Sequence, residues 1–132
     1  MKKEFKEKFK RLGIAIIYLF GSKATGGSNR LSDIDIGVVL KESSLISDSR
    51  KLYNDLFALF SELYPDSKID IVFLQKTPFT LQYSAIKNGK ILLDEDPIFT
   101  ADYEYGVINR YLDFRPVLDF FEQVGMERYA QE

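Results

Sequence analysis

Apolar residues recur along the chain in two spacings, one typical of strands and one typical of helices. Short runs of β-branched and aromatic residues, bounded by glycine, proline or polar residues, predict buried strands. Apolar residues three and four positions apart predict amphipathic helices. The predicted strands cover residues 14–20, 33–40, 68–74 and 90–94, and the predicted helices cover residues 2–12, 48–63, 77–88 and about 99–129.

Strands and helices mixed along the chain in this way predict an α+β fold, a small mixed sheet of about four strands with helices packed on it. The length of 132 residues fits one domain, with a core at about 10–95 and a C-terminal helical segment at about 98–130. Pro116 lies inside that segment and is expected either to kink it or to begin a second helix. The segment has more large apolar residues than one face needs, so packing on the sheet and contact with a partner both stay open.

Two aspartates stand where the second predicted strand begins. Asp33 and Asp35 alternate with Ile34 and Ile36, so the carboxylates share one face of the strand and the isoleucines share the other. Aspartate is depleted in strands, and two neighbouring carboxylates repel each other unless a cation lies between them. A pair of hard oxygen ligands of this kind suits Mg²⁺, which proteins usually bind through one or two carboxylates and substrate phosphates.

The loop after the first predicted strand begins with Gly21-Ser22 and contains two cations, Lys23 and Arg30. Glycine lets a backbone approach a ligand closely, and serine caps the start of a helix, where N–H groups bind anions. The sequence therefore predicts phosphate binding by Gly21 and Ser22, with Lys23 as a further contact.

The amino-acid composition excludes several kinds of reactive group and makes several kinds of partner unexpected. The chain has no cysteine and no histidine, which excludes disulfides, thiolate nucleophiles, imidazole bases and His-ligated metals. The net charge is −2 and the pI about 5.3, so a broad basic surface for long nucleic acid is not expected. No apolar run reaches the length of a membrane span and the N-terminus has no signal-peptide pattern, so we expect a cytoplasmic protein.

Gly21-Ser22, ten further residues and then Asp33-Ile34-Asp35 resemble the signature of the DNA polymerase β-like nucleotidyltransferase superfamily. The short chain is similar to its minimal nucleotidyltransferase (MNT) branch, whose members pair with HEPN-domain proteins as antitoxin and toxin. The resemblance covers about residues 10–95 and implies the palm-like nucleotidyltransferase fold. It implies a third carboxylate on a neighbouring strand, and Asp70, which alternates with Ile69 and Ile71, is the residue that matches it.

The resemblance implies that Asp33, Asp35 and Asp70 are catalytic and bind two Mg²⁺ ions. The reaction it implies transfers NMP, AMP from ATP, to a hydroxyl acceptor, a tyrosine of a HEPN-type partner toxin. Two alternatives remain: a catalytically idle antitoxin that only binds its partner, and a nucleotidyltransferase acting on a small molecule. A template-directed polymerase is not expected, because 132 residues leave no room for domains that hold nucleic acid. Assembly as a homo-oligomer or a hetero-oligomer stays open.

Overall fold

The computed structural model describes residues 1–20, 33–42 and 49–130, with side chains as far as residue 125. All the predicted strands and helices are present, with ends within two residues of the prediction. The helices are α1 (Lys3–Arg11), α2 (Ser49–Leu63), α3 (Phe79–Asn88) and α4 (Pro97–Ala130), and the strands are β1 (Ile14–Phe20), β2 (Ile34–Leu40), β3 (Ile69–Phe73) and β4 (Lys90–Asp94). A 3-10 turn, Leu74–Lys76, follows β3.

The strands form one mixed sheet in the order β3-β2-β1-β4, which confirms the predicted fold class. β1 pairs antiparallel with β2 and with β4, whereas β3 pairs parallel with β2. The parallel pair needs a crossover connection, and α2 lies in it. β3 is therefore an outer strand of the sheet and β2 an inner one.

One face of the sheet is covered by α1 and α2. Phe9 of α1 and Phe60 of α2 are fully buried, and their ring centroids are 4.9 Å apart. Helix α1 ends just before Gly13, which has a φ of 81°, a left-handed conformation that costs glycine little. The sheet residues of this first core are Ile14, Ile17, Leu19, Ile34, Ile36, Val38, Leu40, Ile69, Ile71 and Leu93.

The other face of the sheet is covered by α3 and α4. Tyr18 and Val39 are buried there with Leu74 and Ala85, and Tyr103 of α4 packs against them. The Tyr103 hydroxyl donates to Gln82 Oε1 of α3 at 2.7 Å. The two helices are thus tied to each other as well as to the sheet.

The acidic turn before α4 makes contacts that position the helix. The Asp96 carboxylate accepts hydrogen bonds from two backbone N–H groups in the first turn of α4, the usual work of an N-cap residue. Asp94 accepts a 2.6 Å bond from the Thr100 hydroxyl, and Glu95 pairs with Lys10 at 3.3 Å. The turn therefore fixes where α4 begins.

Helix α4 runs through Pro116 without ending. The alternative in which a second helix begins at this proline is therefore wrong. Near the proline, Phe114 packs edge-on against Phe79 of α3. Tyr111 stacks on Tyr83 of α3 with ring centroids 3.7 Å apart. These contacts support α4 where proline removes a backbone hydrogen bond. No helix among the described residues has the length and apolar character that crossing a membrane requires.

Candidate functional site

Two carboxylates lie side by side on neighbouring strands. In the parallel pairing of β2 with β3, Asp35 is the register partner of Asp70. Neighbouring strands are about 4.8 Å apart, so both side chains leave the backbone at adjacent points on one face of the sheet. Asp35 is half-buried on the inner strand, and Asp70 is exposed on the outer strand.

Isoleucines determine which face the aspartates occupy. Ile34 and Ile36 flank Asp35, Ile69 and Ile71 flank Asp70, and all four are buried under α1 and α2. A slip of one residue in either strand would bury a carboxylate and expose two isoleucines. The alternation read in the sequence therefore places the carboxylates on the opposite face, the one that α3 and α4 partly cover.

Asp33 stands at the end of the sheet where β2 and β3 begin. It precedes β2 directly and is exposed. The N–H group of Ile34 donates to the carbonyl of Lys68 at 2.8 Å, a bond that joins the starts of the two strands. Asp33 is close enough to Asp35 to change the pKa of its carboxyl. The structure thus brings the three predicted carboxylates into one neighbourhood.

The electrostatics of the site centre on Asp35. Burial raises the pKa of its carboxyl above the ordinary value, and the carboxylates of Asp70 and then Asp33 raise that pKa further. Each cause disfavours the charged form, because a partly buried carboxylate loses hydration and its neighbours repel it. A cation placed among the three would offset that repulsion.

An apolar wall closes the site on the side of the core. Phe20, the last residue of β1, is the register partner of Asp35 on the strand away from Asp70. Two residues further along β2, a Cβ on Gly37 would come within 2.9 Å of Leu74 Cδ1 and 3.1 Å of Phe20 Cε1. Glycine at this position lets Phe20 and Leu74 close over β2 immediately beyond Asp35.

The end of β2 is held by a side chain from the turn after β3. Gln75 Oε1 accepts from the Leu40 N–H at 2.8 Å, and Gln75 Nε2 donates to the Leu40 carbonyl at 2.9 Å. This pair of bonds imitates a strand ladder after β3 has ended at Phe73. The far end of β2 is thereby fixed to the same chain segment that carries Asp70.

The donor set fits a hard divalent cation. Carboxylate oxygens are the protein ligands that Mg²⁺ prefers. Burial first, and then the carboxylates of Asp70 and Asp33, raise the pKa of the Asp35 carboxyl, and a bound cation would relieve the repulsion among the three. Among the described residues, no three Asp, Glu, His or Cys side chains already stand as a ligand cluster. Asp70 is exposed, so its side chain can rotate toward a cation without disturbing the core.

The predicted phosphate-binding residues Gly21, Ser22 and Lys23 lie outside the described residues, as does Arg30. Their assignment stays a prediction from the sequence. Phe20, described at the end of β1, is the residue that precedes Gly21 in the chain.

Two residues that shape the site, Gln75 and Gly37, were not predicted from the sequence. Gln75 gives no local signal, because its partner Leu40 is 35 positions away. Gly37 did have one: a glycine inside a strand pattern often marks the close approach of another group. The groups that approach it, Phe20 and Leu74, are apparent only once the strands are paired.

Comparison with known proteins matches one family along most of the chain. The family described as "Polymerase beta, Nucleotidyltransferase" matches residues 3–98. No curated protein matches the chain.

Several solved structures share the fold. A toxin–antitoxin crystal structure with AMP-PNP aligns at a TM-score of 0.68 and 24% identity, covering 92% of this chain and 98% of that one. A mutant of the MntA–HpeT toxin–antitoxin aligns at 0.68 and 24% identity over 96% and 99% of the two chains. A complex of tri-AMPylated Shewanella oneidensis HEPN toxin with MNT antitoxin aligns at 0.50 and 22% identity over 92% and 99%.

Proposed function

Because the chain belongs to the polymerase beta nucleotidyltransferase family, we propose that it transfers AMP from ATP to a hydroxyl group on a HEPN-type partner toxin. In this proposal Asp33, Asp35 and Asp70 are the catalytic carboxylates and would hold two Mg²⁺ ions. The observation that carries the proposal is the pairing of Asp35 with Asp70 in parallel register, with Asp33 beside them. Charge clustering of this kind costs stability, and a subunit that served only for binding would not need it.

In the proposed reaction the acceptor hydroxyl oxygen forms a bond to the α-phosphorus of ATP. The bond from that phosphorus to the oxygen bridging to the β-phosphate breaks, and pyrophosphate leaves. The hydroxyl proton passes to the Asp70 carboxylate, which faces solvent at the outer strand and can release it there. When bound, divalent cations would neutralise charge on the triphosphate and favour loss of the hydroxyl proton. The protein supplies position and charge, as is usual in phosphoryl-group chemistry.

Gly21, Ser22 and Lys23 are proposed to bind the β- and γ-phosphates. The support is their sequence: a glycine, a hydroxyl and a cation directly after β1, the strand that pairs beside Asp35.

The acceptor is the part of the proposal that rests on similarity. The solved complexes described above include a toxin–antitoxin with AMP-PNP and an AMPylated HEPN toxin bound to an MNT antitoxin. Their antitoxin role comes to this chain as a proposal, because identities of 22–24% establish a shared fold only.

The test is to incubate the purified chain with Mg²⁺, labelled ATP and a HEPN-type partner, and to measure the intact mass of the partner. We expect the partner to gain one or more AMP groups with the wild-type chain and none with Asp35→Asn. The matched control is Asp66→Asn, which removes an exposed aspartate in the turn before β3 and should leave the transfer unchanged.

The alternatives give different results in the same experiment. A partner that binds and is inhibited without gaining mass, under any nucleoside triphosphate, would refute transfer and indicate neutralisation by contact. Pyrophosphate release that depends on an added small-molecule hydroxyl, with no acceptor protein present, would show that the acceptor is a small molecule.

A further inference from the structure

The outer edge of β3 lies beside the carboxylate site. β3 ends the sheet on one side and has β2 as its only strand neighbour among the described residues. Its five residues pair with β2 in an unbroken parallel register, whereas the pairing of β1 with β4, at the other end of the sheet, shifts between Ile17 and Tyr18. A regular strand with one open edge is able to accept a further strand, because a row of its backbone groups is unpaired.

One hydrogen bond determines which backbone groups face this edge. The carbonyl of Lys68 accepts from the N–H group of Ile34 in β2, and alternate residues of a strand direct their backbone groups to the same side. The N–H groups of Asp70 and Val72 therefore also face β2. The strand residues that direct their N–H groups outward are Ile69, Ile71 and Phe73. Within the described part of the chain, these three N–H groups have no backbone acceptor.

The row of side chains that crosses the site ends at the same edge. Phe20, Asp35 and Asp70 stand side by side on β1, β2 and β3, because each is the register partner of the next. Phe20 and Leu74 close the site on the side of the core. Asp70, at the other end of the row, is exposed. The next position in the row would belong to a strand paired with β3, so a group placed there would reach Asp70 without crossing the core.

We propose that an extended segment of the acceptor protein pairs with the outer edge of β3 as a further strand, with its tyrosine opposite Asp70. Backbone hydrogen bonds to Ile69, Ile71 and Phe73 would hold the segment. The residue opposite Asp70 then directs its side chain to the face of the sheet that carries the carboxylates. In antiparallel pairing it forms a non-hydrogen-bonded pair with Asp70, in which the Cα atoms are only about 4.5 Å apart.

Side-chain length favours tyrosine at this position over serine or threonine. A serine or threonine hydroxyl would stand closer to the strand backbone than the carboxylate oxygens of Asp70 do. The phenol hydroxyl of tyrosine reaches beyond those oxygens, toward a nucleotide bound above the carboxylates. Aromatic side chains also reach neighbouring positions diagonally across a pair of strands, which lets the ring lean toward Asp35.

A second copy of the chain suits this edge less well than an acceptor segment does. Pairing of two β3 strands would bring a second Asp70 to the same edge, and like charges on neighbouring strands destabilise a sheet. A tyrosine at that position adds no charge. The inference rests on the proposed function for the identity of the acceptor, but strand pairing needs no nucleotide and is measured separately from the transfer.

The first test follows amide hydrogen exchange by NMR in the full chain, alone and with a saturating HEPN-type partner, without nucleotide. We expect the N–H groups of Ile69, Ile71 and Phe73 to exchange at least about tenfold more slowly in the complex. Those of Asp70 and Val72, which face β2 in both states, should change much less, so the added protection should alternate along β3. Unchanged exchange at the three outward N–H groups would overturn the proposal, as would absence of a complex. Protection that appears without partner and grows with chain concentration would also overturn it, because it would indicate a dimer.

The second test removes one outward N–H group. Phe73 has a φ of −82°, close to the angle that proline requires, so Phe73→Pro can keep the strand while losing its donor. The matched control is Phe73→Ala, which loses the same ring and its contact with Lys76 but keeps the N–H group. We expect Phe73→Pro to bind the partner at least about threefold more weakly than Phe73→Ala, the loss typical of one hydrogen bond.

Equal affinity of the two variants would contradict pairing at this edge. If circular dichroism shows that Phe73→Pro has unfolded, the exchange measurement on the wild-type chain decides alone. Alternating protection of β3 without AMP transfer would leave the docking intact and refute the proposed function. Transfer to a partner that leaves the edge of β3 unprotected would do the reverse.

Discussion

The Asp35 carboxylate is half-buried beside two other carboxylates, and burial together with these neighbours raises the pKa of its carboxyl. Because folding raises this pKa, the folded chain binds the Asp35 proton more tightly than the unfolded chain does. The stability that this contributes is complete below the ordinary carboxyl pKa and is lost as the pH rises through the raised one. At neutral pH without a cation, Asp35 therefore opposes folding.

Replacing Asp35 by asparagine should raise the melting temperature of the metal-free protein at neutral pH, because it removes the charge that is repelled. The gain should vanish at a pH below the ordinary carboxyl pKa, where Asp35 of the wild type is protonated. The same variant should lose nucleotidyl transfer by more than about 100-fold, the scale on which one electrostatic group in a site counts. Thermal unfolding measured across a range of pH, with Asp66→Asn as control, tests the predicted change in melting temperature. A variant less stable than wild type at neutral pH would show that the Asp35 charge is already compensated.

The Tyr18 hydroxyl is buried, and among the described residues no group meets it in good hydrogen-bond geometry, although the Glu104 carboxylate lies close to it. Burial raises the pKa of this phenol far above its ordinary value, and the nearby Glu104 carboxylate raises it further. A buried hydroxyl without a partner costs free energy relative to an apolar group of the same shape.

Tyr18→Phe should therefore leave the free energy of unfolding unchanged or raise it by up to about 1 kcal/mol. Chemical denaturation of the two proteins measures the difference. A loss of more than about 1 kcal/mol would mean that the phenol donates to Glu104 in solution, since such a loss is typical of a broken bond to a charged group.

At the scale of elements, the close packing around Gly37 sets the boundary between the carboxylate site and the core. A methyl group there would meet Leu74 and Phe20 at 3.1 Å or less, and overpacking of this kind usually costs about 1–3 kcal/mol. Gly37→Ala should destabilise the protein by that amount. Because Phe20 borders Asp35, the variant should also lower transfer activity.

The compensating variant makes this prediction specific. Leu74→Ala leaves a cavity and should destabilise by itself, yet in Gly37→Ala/Leu74→Ala the new methyl group partly fills that space. The double variant should be more stable than the sum of the two single losses implies, by about 0.5 kcal/mol or more in a double-mutant cycle. Strict additivity would contradict the contact between these two positions.

The elements themselves were largely predictable, because each depends on local spacing. Alternation of Ile34 and Ile36 with the aspartates predicts a strand and its faces, and the structure confirms both. The pairing of Asp35 with Asp70 was not readable in this way, since it joins residues 35 positions apart through a parallel ladder. One of the two alternatives at Pro116, that a second helix begins there, was wrong because contacts elsewhere in the fold decide the outcome. Contacts of α4 with α3 on the N-terminal side of the proline outweigh its local preference.

At the scale of the whole molecule, the two faces of the sheet have separate tasks. The face under α1 and α2 carries a continuous apolar core, whereas the other face divides between the carboxylate site and a smaller core under α3 and α4. The sequence predicted that helices pack on a sheet and that its last helix has surplus apolar residues. It could not predict which side of that helix stays exposed, because the answer depends on where α3 lies. The roles of Gly21, Ser22 and Lys23 stay predictions.

The place of β3 at the edge of the sheet has a consequence for how the protein fails when it is heated. An outer strand opens more readily than an inner one, because only one neighbour holds it, and such local opening precedes global unfolding. β3 carries Asp70, so a brief detachment of this strand would dismantle the site while β1, β2 and the first core remain folded. Loss of activity should then begin several degrees below the melting temperature, and the amide protons of β3 should exchange faster than those of β1. The working temperature of the protein would be set by this outer strand rather than by the stability of its core.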